Sequence, residues 1–271
     1  TDPTTGRLQP IAGPGNVVAI FGYAKARKTT VLGLIVAAVF AGRQVQNVVY
    51  NGPPGKVMWV DTEQGDYYFW ETMWRLHVQA QLPDDHRDRL FSYSTVGMGV
   101  AERLEKIDRG VRLLKPTVLI LDGIIQFMTD MNDTKQAGII IEYLQRWASQ
   151  GCIVFPVLHL NPESNKPRGH IGTFLTNGCD NSIKVMLDDD DTKVSEVVNF
   201  FSRGPSFKAF KLRAGEDGIL YQGDVPPQYD YSIGKPERVM EIEHEVVSDE
   251  EVLPEAAAEV VVLESSNRQE P

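Results

Sequence analysis

An apolar, strand-like run at residues 17–21 leads directly into Gly22-Tyr23-Ala24-Lys25-Ala26-Arg27-Lys28-Thr29-Thr30, and then into a segment with helical spacing. A turn of this kind between strand and helix is built to hold phosphates. Its backbone N–H groups and the positive end of the following helix face the anion, Lys28 adds a point charge, and the Thr29 hydroxyl can ligate Mg²⁺. The expected chemistry is binding of ATP with Mg²⁺, using Gly22, Ala24, Lys25, Ala26, Arg27, Lys28, Thr29 and Thr30. One position departs from G-x-x-x-x-G-K-[ST]: Arg27 stands where the second glycine belongs. With right-handed helical dihedrals there, a side chain is tolerable, whereas a requirement for positive φ would damage the site. A basic turn that only mimics the motif is the bland alternative.

Three later strand ends carry polar groups that such a site needs. In Val118-Leu119-Ile120-Leu121-Asp122, four apolar residues precede an acid placed to hold Mg²⁺, so Thr29 and Asp122 are the expected metal ligands. In Val57-Met58-Trp59-Val60-Asp61-Thr62-Glu63, the strand ends in two acids, and Glu63 rather than Asp61 is the expected base for the attacking water. Taken alone, either acid is also what a solvated strand end looks like. The run 153–158 ends in His159, which could hydrogen-bond a γ-phosphate or could be a locally satisfied capping histidine. Parallel strands bring these ends to one crevice, which gives the three groups a common role.

The elements that must position them alternate along the chain. Strand-like runs at 17–21, 57–61, 90–95, 118–122 and 153–159 are separated by helix-like segments at 29–41, 67–82, 101–114 and 136–149. After Gly178, four strand-like runs (182–187, 197–203, 208–213 and 219–222) follow with short turns between them. The expected fold is α/β: a mainly parallel central sheet with helices on both faces and an antiparallel β extension. Domain boundaries are set at 1–15 for an N-terminal arm or linker, 16–225 for the core and 226–271 for a Pro-containing, then acidic, disordered tail. Of the net charge of −10, residues 236–271 contribute −9, leaving the core nearly neutral. The tail either solubilises the protein or competes with nucleic acid for a basic surface. No apolar run reaches the roughly eighteen residues of a membrane span, and two cysteines without a scaffold pattern fit a reducing cytoplasm.

The order phosphate loop, Glu63, Asp122, His159 with a basic loop, then Ser202-Arg203-Gly204-Pro205, resembles the RecA-like ATPase core of RepA and DnaB-type hexameric helicases over residues 16–222. The likeness is closest to RepA-like ATPases of plasmids, phages and mobile elements, including a group whose loop reads Ala/Ser-Arg-Lys-Thr. The resemblance implies a homo-oligomeric, hexameric ring, ATP hydrolysis, Lys28, Glu63 and His159 in catalysis, and Arg203 as an arginine finger acting in trans. It also implies single-stranded DNA in the ring, with Lys135, Lys166, Arg168 and His170 as the phosphate contacts and Phe127 and Phe174 as the stacking candidates in loops 123–138 and 161–178. A recombinase-like filament or switch that does not unwind, and a nucleotide-binding scaffold without turnover, are the alternatives.

Overall fold

The computed structural model describes residues 10–81, 88–204, 206–231 and 260–262. Its centre is a nine-stranded sheet of order β11-β10-β9-β8-β2-β7-β6-β4-β5. The parallel part comprises β2 (Val18–Gly22), β4 (Val57–Asp61), β5 (Leu90–Ser94), β6 (Val118–Asp122), β7 (Ile153–His159) and β8 (Asn181–Leu187). β9 (Val194–Ser202), β10 (Phe210–Ala214) and β11 (Leu220–Tyr221) continue it antiparallel. The expected α/β architecture with its antiparallel extension is therefore the observed one.

Strands β2, β4, β6 and β7 are buried on both faces, which explains why they read as continuous apolar runs rather than as alternating ones. Val18, Ile20, Val57, Trp59, Val118, Ile120, Ile153 and Phe155 point to one side, where they meet α1 (Lys28–Ala41) and α2 (Asp66–Ala80). Their neighbours Ala19, Phe21, Met58, Val60, Leu119, Leu121 and Val154 point to the other, toward α3 (Val100–Leu114), α4 (Thr134–Ala148) and α5 (Gly169–Gly178). Helix α1 is apolar all round because it is enclosed all round, with buried residues from Val31 through Phe40. Gly42, at φ 61, closes it by donating to the carbonyls of Ala38 and Val39.

A second, three-stranded sheet joins β1 (Pro10–Ala12), β3 (Val48–Tyr50) and β12 (Val260–Val262) in the order β1-β12-β3. Its three-residue strands are too short to show a period in the sequence. β1 lies within the expected N-terminal arm and β12 within the expected acidic tail. The remainder of those segments, 1–9, 232–259 and 263–271, lies outside the described residues, as does Pro205.

The expectation of two long central loops is corrected. A 3-10 turn (Ile124–Phe127) and the start of α4 lie within 123–138, and α5 occupies the second half of 161–178. The glycines and asparagine of α5 read as loop, but burial of Ile171, Gly172 and Leu175 outweighs that local preference. A Cβ on Gly172 would meet the Pro167 carbonyl carbon at 2.7 Å and its oxygen at 2.8 Å. Gly172→Ala gains about 1 kcal/mol of helix propensity and incurs roughly 2–3 kcal/mol of overpacking. A net loss of about 1–2 kcal/mol in denaturant unfolding is expected, and a gain would show that the loop at Pro167 yields.

Candidate active site

The parallel register brings four strand ends level. Gly22 of β2 pairs with His159 of β7, Asp122 of β6 with Val157, and Asp61 of β4 with Asp122. From Gly22 the chain turns tightly into α1, and a Cβ on Gly22 would lie 2.4 Å from the Val185 carbonyl oxygen, so only glycine fits beside β8. Lys25 and Arg27 take left-handed backbone, at φ 63 and φ 67. The right-handed geometry that would make a side chain at position 27 free of cost is thus not adopted. A non-glycine residue there costs about 1 kcal/mol or more, yet the loop is formed and its lysine and threonine are in place. Ala24 and Lys25 are exposed at the tip, Ala26 is buried beneath it, and Thr30 lies in the first turn of α1.

Lys28 is only 6% exposed. Its ammonium donates to the carbonyls of Tyr23 at 2.8 Å and Gly22 at 3.3 Å, and lies 3.0 Å from Nδ1 of His159. An ammonium can only donate, so Nδ1 accepts and the proton of the neutral imidazole sits on Nε2, 3.3 Å from Glu63 Oε2. Lysine, histidine and glutamate therefore form one chain of hydrogen bonds across the cleft. Burial holds the Lys28 pKa down to about 8 against the pull of Asp122 and Glu63. The hydrogen bond from His159 pulls the Glu63 carboxyl below its usual range, keeping it ionised as a base requires.

Asp61 and Glu63 are adjacent acids with separate duties. Asp61 is fully buried and accepts from the backbone N–H groups of Glu63 at 2.9 Å and Gln64 at 2.7 Å, and from the Gln64 amide at 2.6 Å. It shapes the turn that projects Glu63 into a cleft of about 210 Å³, which Lys28, Thr29, Asp122 and His159 also line. Thr29 Oγ1 donates to Asp122 Oδ2 at 2.7 Å, and burial beside Asp61 raises the Asp122 pKa to about 7. Two hard oxygen donors side by side, next to a phosphate loop, fit Mg²⁺, which keeps most of its waters and takes one or two protein ligands plus phosphate oxygens. Among the described residues no group of three or more His, Cys, Asp or Glu forms a protein-only metal cage.

Several supporting groups carried no motif. Arg103 on α3 is 4% exposed and donates to the carbonyls of Thr95, Met98 and Gln126 and to Thr95 Oγ1, tying the turn after β5 to the turn after β6. Its guanidinium covers the ring of Phe127, which is 1% exposed, so the expected stacking role of Phe127 is corrected. A cation on the apolar stripe of α3, level with Ile107 and Val111, was the available signal. Asn165 accepts from Tyr23 Oη at 2.9 Å and from Lys184 Nζ at 2.8 Å, joining the phosphate loop and β8 to the loop that follows His159.

The remaining expected residues lie outside the cleft. Lys166 and Arg168 are exposed on the turn between β7 and α5, where Arg168 N–H donates to the His159 carbonyl at 3.2 Å, and His170 is exposed in the first turn of α5. Arg203 follows β9 at the opposite end of the sheet: β9 begins beside Arg27 and ends where Ser202 pairs with Asn181, the first residue of β8. No Arg203 side chain reaches its own cleft.

These features define a RecA-like P-loop ATPase domain. Residues 2–165 match the model of the AAA domain family, and the chain belongs to that family. Among solved structures, a KaiC-like protein from the hyperthermophilic archaeon Pyrococcus horikoshii is similar in fold, with a TM-score of 0.56 and 15% identity over 79% of this chain and 100% of that one. No curated protein sequence matches. Among the described residues no helix is long and apolar enough to cross a membrane.

Lys28 offers a test of the cleft's electrostatics. Its pKa of about 8 in the fold lies below the unfolded value of 10.5, so the charged form destabilises the folded state at neutral pH by roughly 3 kcal/mol. That penalty fades as pH rises from 8 to 10.5. Lys28→Met relieves it but leaves two carbonyls unpaired, so nucleotide-free protein at pH 7 should gain about 1 kcal/mol in denaturant unfolding. The gain should shrink by pH 10, and binding of a fluorescent ATP analogue should be lost. A variant less stable than wild type at pH 7 would show that the lost hydrogen bonds dominate.

Proposed function

We propose that this chain is an ATP-hydrolysing motor of the RepA and DnaB type, assembled as a homo-oligomeric, hexameric ring and translocating on single-stranded DNA. The observation that supports it most is the chain Lys28–His159–Glu63, whose central residue starts the turn that bears Lys166 and Arg168 and leads to His170 at the start of α5. A group that touches both the phosphate lysine and the base also begins the basic loop. Loss of a γ-phosphate can therefore alter the loop's hold on DNA.

In this reading the backbone of 22–30 and the Lys28 ammonium hold the β- and γ-phosphates of ATP. Thr29 and Asp122 would hold Mg²⁺, which would supply charge neutralisation at the phosphate oxygens. Glu63 accepts a proton from the attacking water as its oxygen bonds to the γ-phosphorus and the bond to the ADP oxygen breaks. His159 keeps Glu63 ionised and oriented. Arg27 is turned aside to Ser195 and Thr192, which leaves transition-state charge to be met by a guanidinium from a neighbour, and Arg203, exposed at the far end of β9, is that group.

Hydrolysis measured with and without single-stranded DNA across protein concentrations tests the reading: stimulation by DNA and a rise in specific activity with concentration are expected. Flat responses to both would leave an ATPase without a DNA motor. Glu63→Gln should bind ATP yet turn over about 10²-fold more slowly. Arg203→Ala should be inactive alone, and mixing it with Glu63→Gln should restore partial activity at interfaces that pair an intact Glu63 with an intact Arg203. A fully active Arg203→Ala would remove the residue from the site. Charge reversal at Lys166 and Arg168 should weaken DNA binding and leave ATP affinity without DNA unchanged. Equal loss of both would mean that the turn is needed for folding.

A further inference from the structure

We propose that the turn between β8 and β9 is an anchor for the phosphate loop, with Ser195 a positioning residue that acts through Arg27. The inference rests on the reading of the cleft as an ATP site. Arg27 occupies left-handed backbone, at φ 67, next to Lys28 and Thr29. Glycine would hold that conformation without help; an arginine must be held there. Its Nη1 donates to Ser195 Oγ at 3.1 Å and its Nη2 to the Thr192 carbonyl at 2.6 Å. Ser195 is fully buried at the start of β9, flanked by Leu187 of β8 and Leu212 of β10.

The turn itself is cross-linked. Asp188 accepts from the N–H groups of Asp190 and Asp191 and pairs with Lys211, while Asp191 pairs with Arg213 and accepts from the Lys193 N–H. Both cations belong to β10, so the turn is fastened to the extension on its far side. The guanidinium thus spans from a strained point of the phosphate loop to a fixed point of the sheet. The loop's shape is set before nucleotide arrives. Aspartates surround the turn, but it is the buried serine hydroxyl and the carbonyl that take the arginine.

The test is a cycle of variants read by the Kd of a fluorescent ATP analogue and by kcat at saturating ATP. Arg27→Met keeps the backbone demand and loses the anchor, and should weaken binding about tenfold. Arg27→Gly removes the demand together with the anchor and should bind more tightly than Arg27→Met. Ser195→Ala should weaken binding several-fold, with little change in kcat once phosphates organise the loop, and should have no effect in the Arg27→Gly background. An equal loss from Ser195→Ala in both backgrounds, or wild-type binding by Arg27→Met, overturns the anchor while leaving the ATP site standing. Wild-type protein that binds no ATP overturns the site and the anchor together. Because Arg27→Met and Arg27→Gly leave Ser195 intact, their comparison decides the matter even if Ser195→Ala fails to fold.

Discussion

An ammonium placed where water scarcely reaches must find its partners in the protein, and Lys28 finds two carbonyls and an imidazole. Removing a charge from water costs more than such neutral acceptors return, which is why its proton is loosely held. The same low-dielectric setting raises Asp122, whereas the hydrogen bond from His159 holds Glu63 low against its own burial. A site that is electrostatically unsatisfied in this way gains most when polyanionic phosphate and a divalent cation enter together. Each meets a group of opposite charge that the fold has already desolvated.

The sheet keeps these groups together. Gly22, Asp61, Asp122 and His159 end four neighbouring strands, and parallel hydrogen bonding fixes their register to the residue. A slip of one residue in any strand would exchange the side chains packed against the two helical layers, so close packing on both faces holds the alignment of the polar ends. Outside the strands, positions are held by cross-links between turns: Asp61 shapes the Glu63 turn, Thr62 Oγ1 donates to the carbonyls of Asp122 and Gly123, and Arg103 joins the next two turns.

What could be read in advance follows from this division. The runs 57–61, 118–122 and 153–159 appear in the structure with the same bounds, because double-sided burial makes such strands contiguous and apolar. The motif order also made the cleft legible: Lys28, Thr29, Glu63, Asp122 and His159 do meet. The backbone at Arg27 was not legible, since φ at that position is decided by how the turn of residues 23–27 closes between strand and helix. Helix α5 was hidden by its glycines: Gly172 is required by close approach to Pro167, and Gly169 by a positive φ of 63 beside the Met131 carbonyl. Arg103 and Ser195 were hidden because their partners are carbonyls and a guanidinium distant in sequence, and no spacing rule reports such pairs.

The antiparallel extension gives one strand two places to act. Because β9 runs against β8, its first residues lie at the cleft edge and its last at the opposite edge, roughly 27 Å away for nine residues. Ser195 sits at the first end, against the Arg27 guanidinium, and Arg203 follows the second. A further parallel strand would have brought its C-terminal residues back to the same crevice. In the proposed ring the reversal matters, because a group that must serve a neighbour's cleft cannot also lie in its own. A stiff strand with one end tied to the local phosphate loop and the other facing the adjacent subunit also gives successive sites a direct mechanical connection through β9.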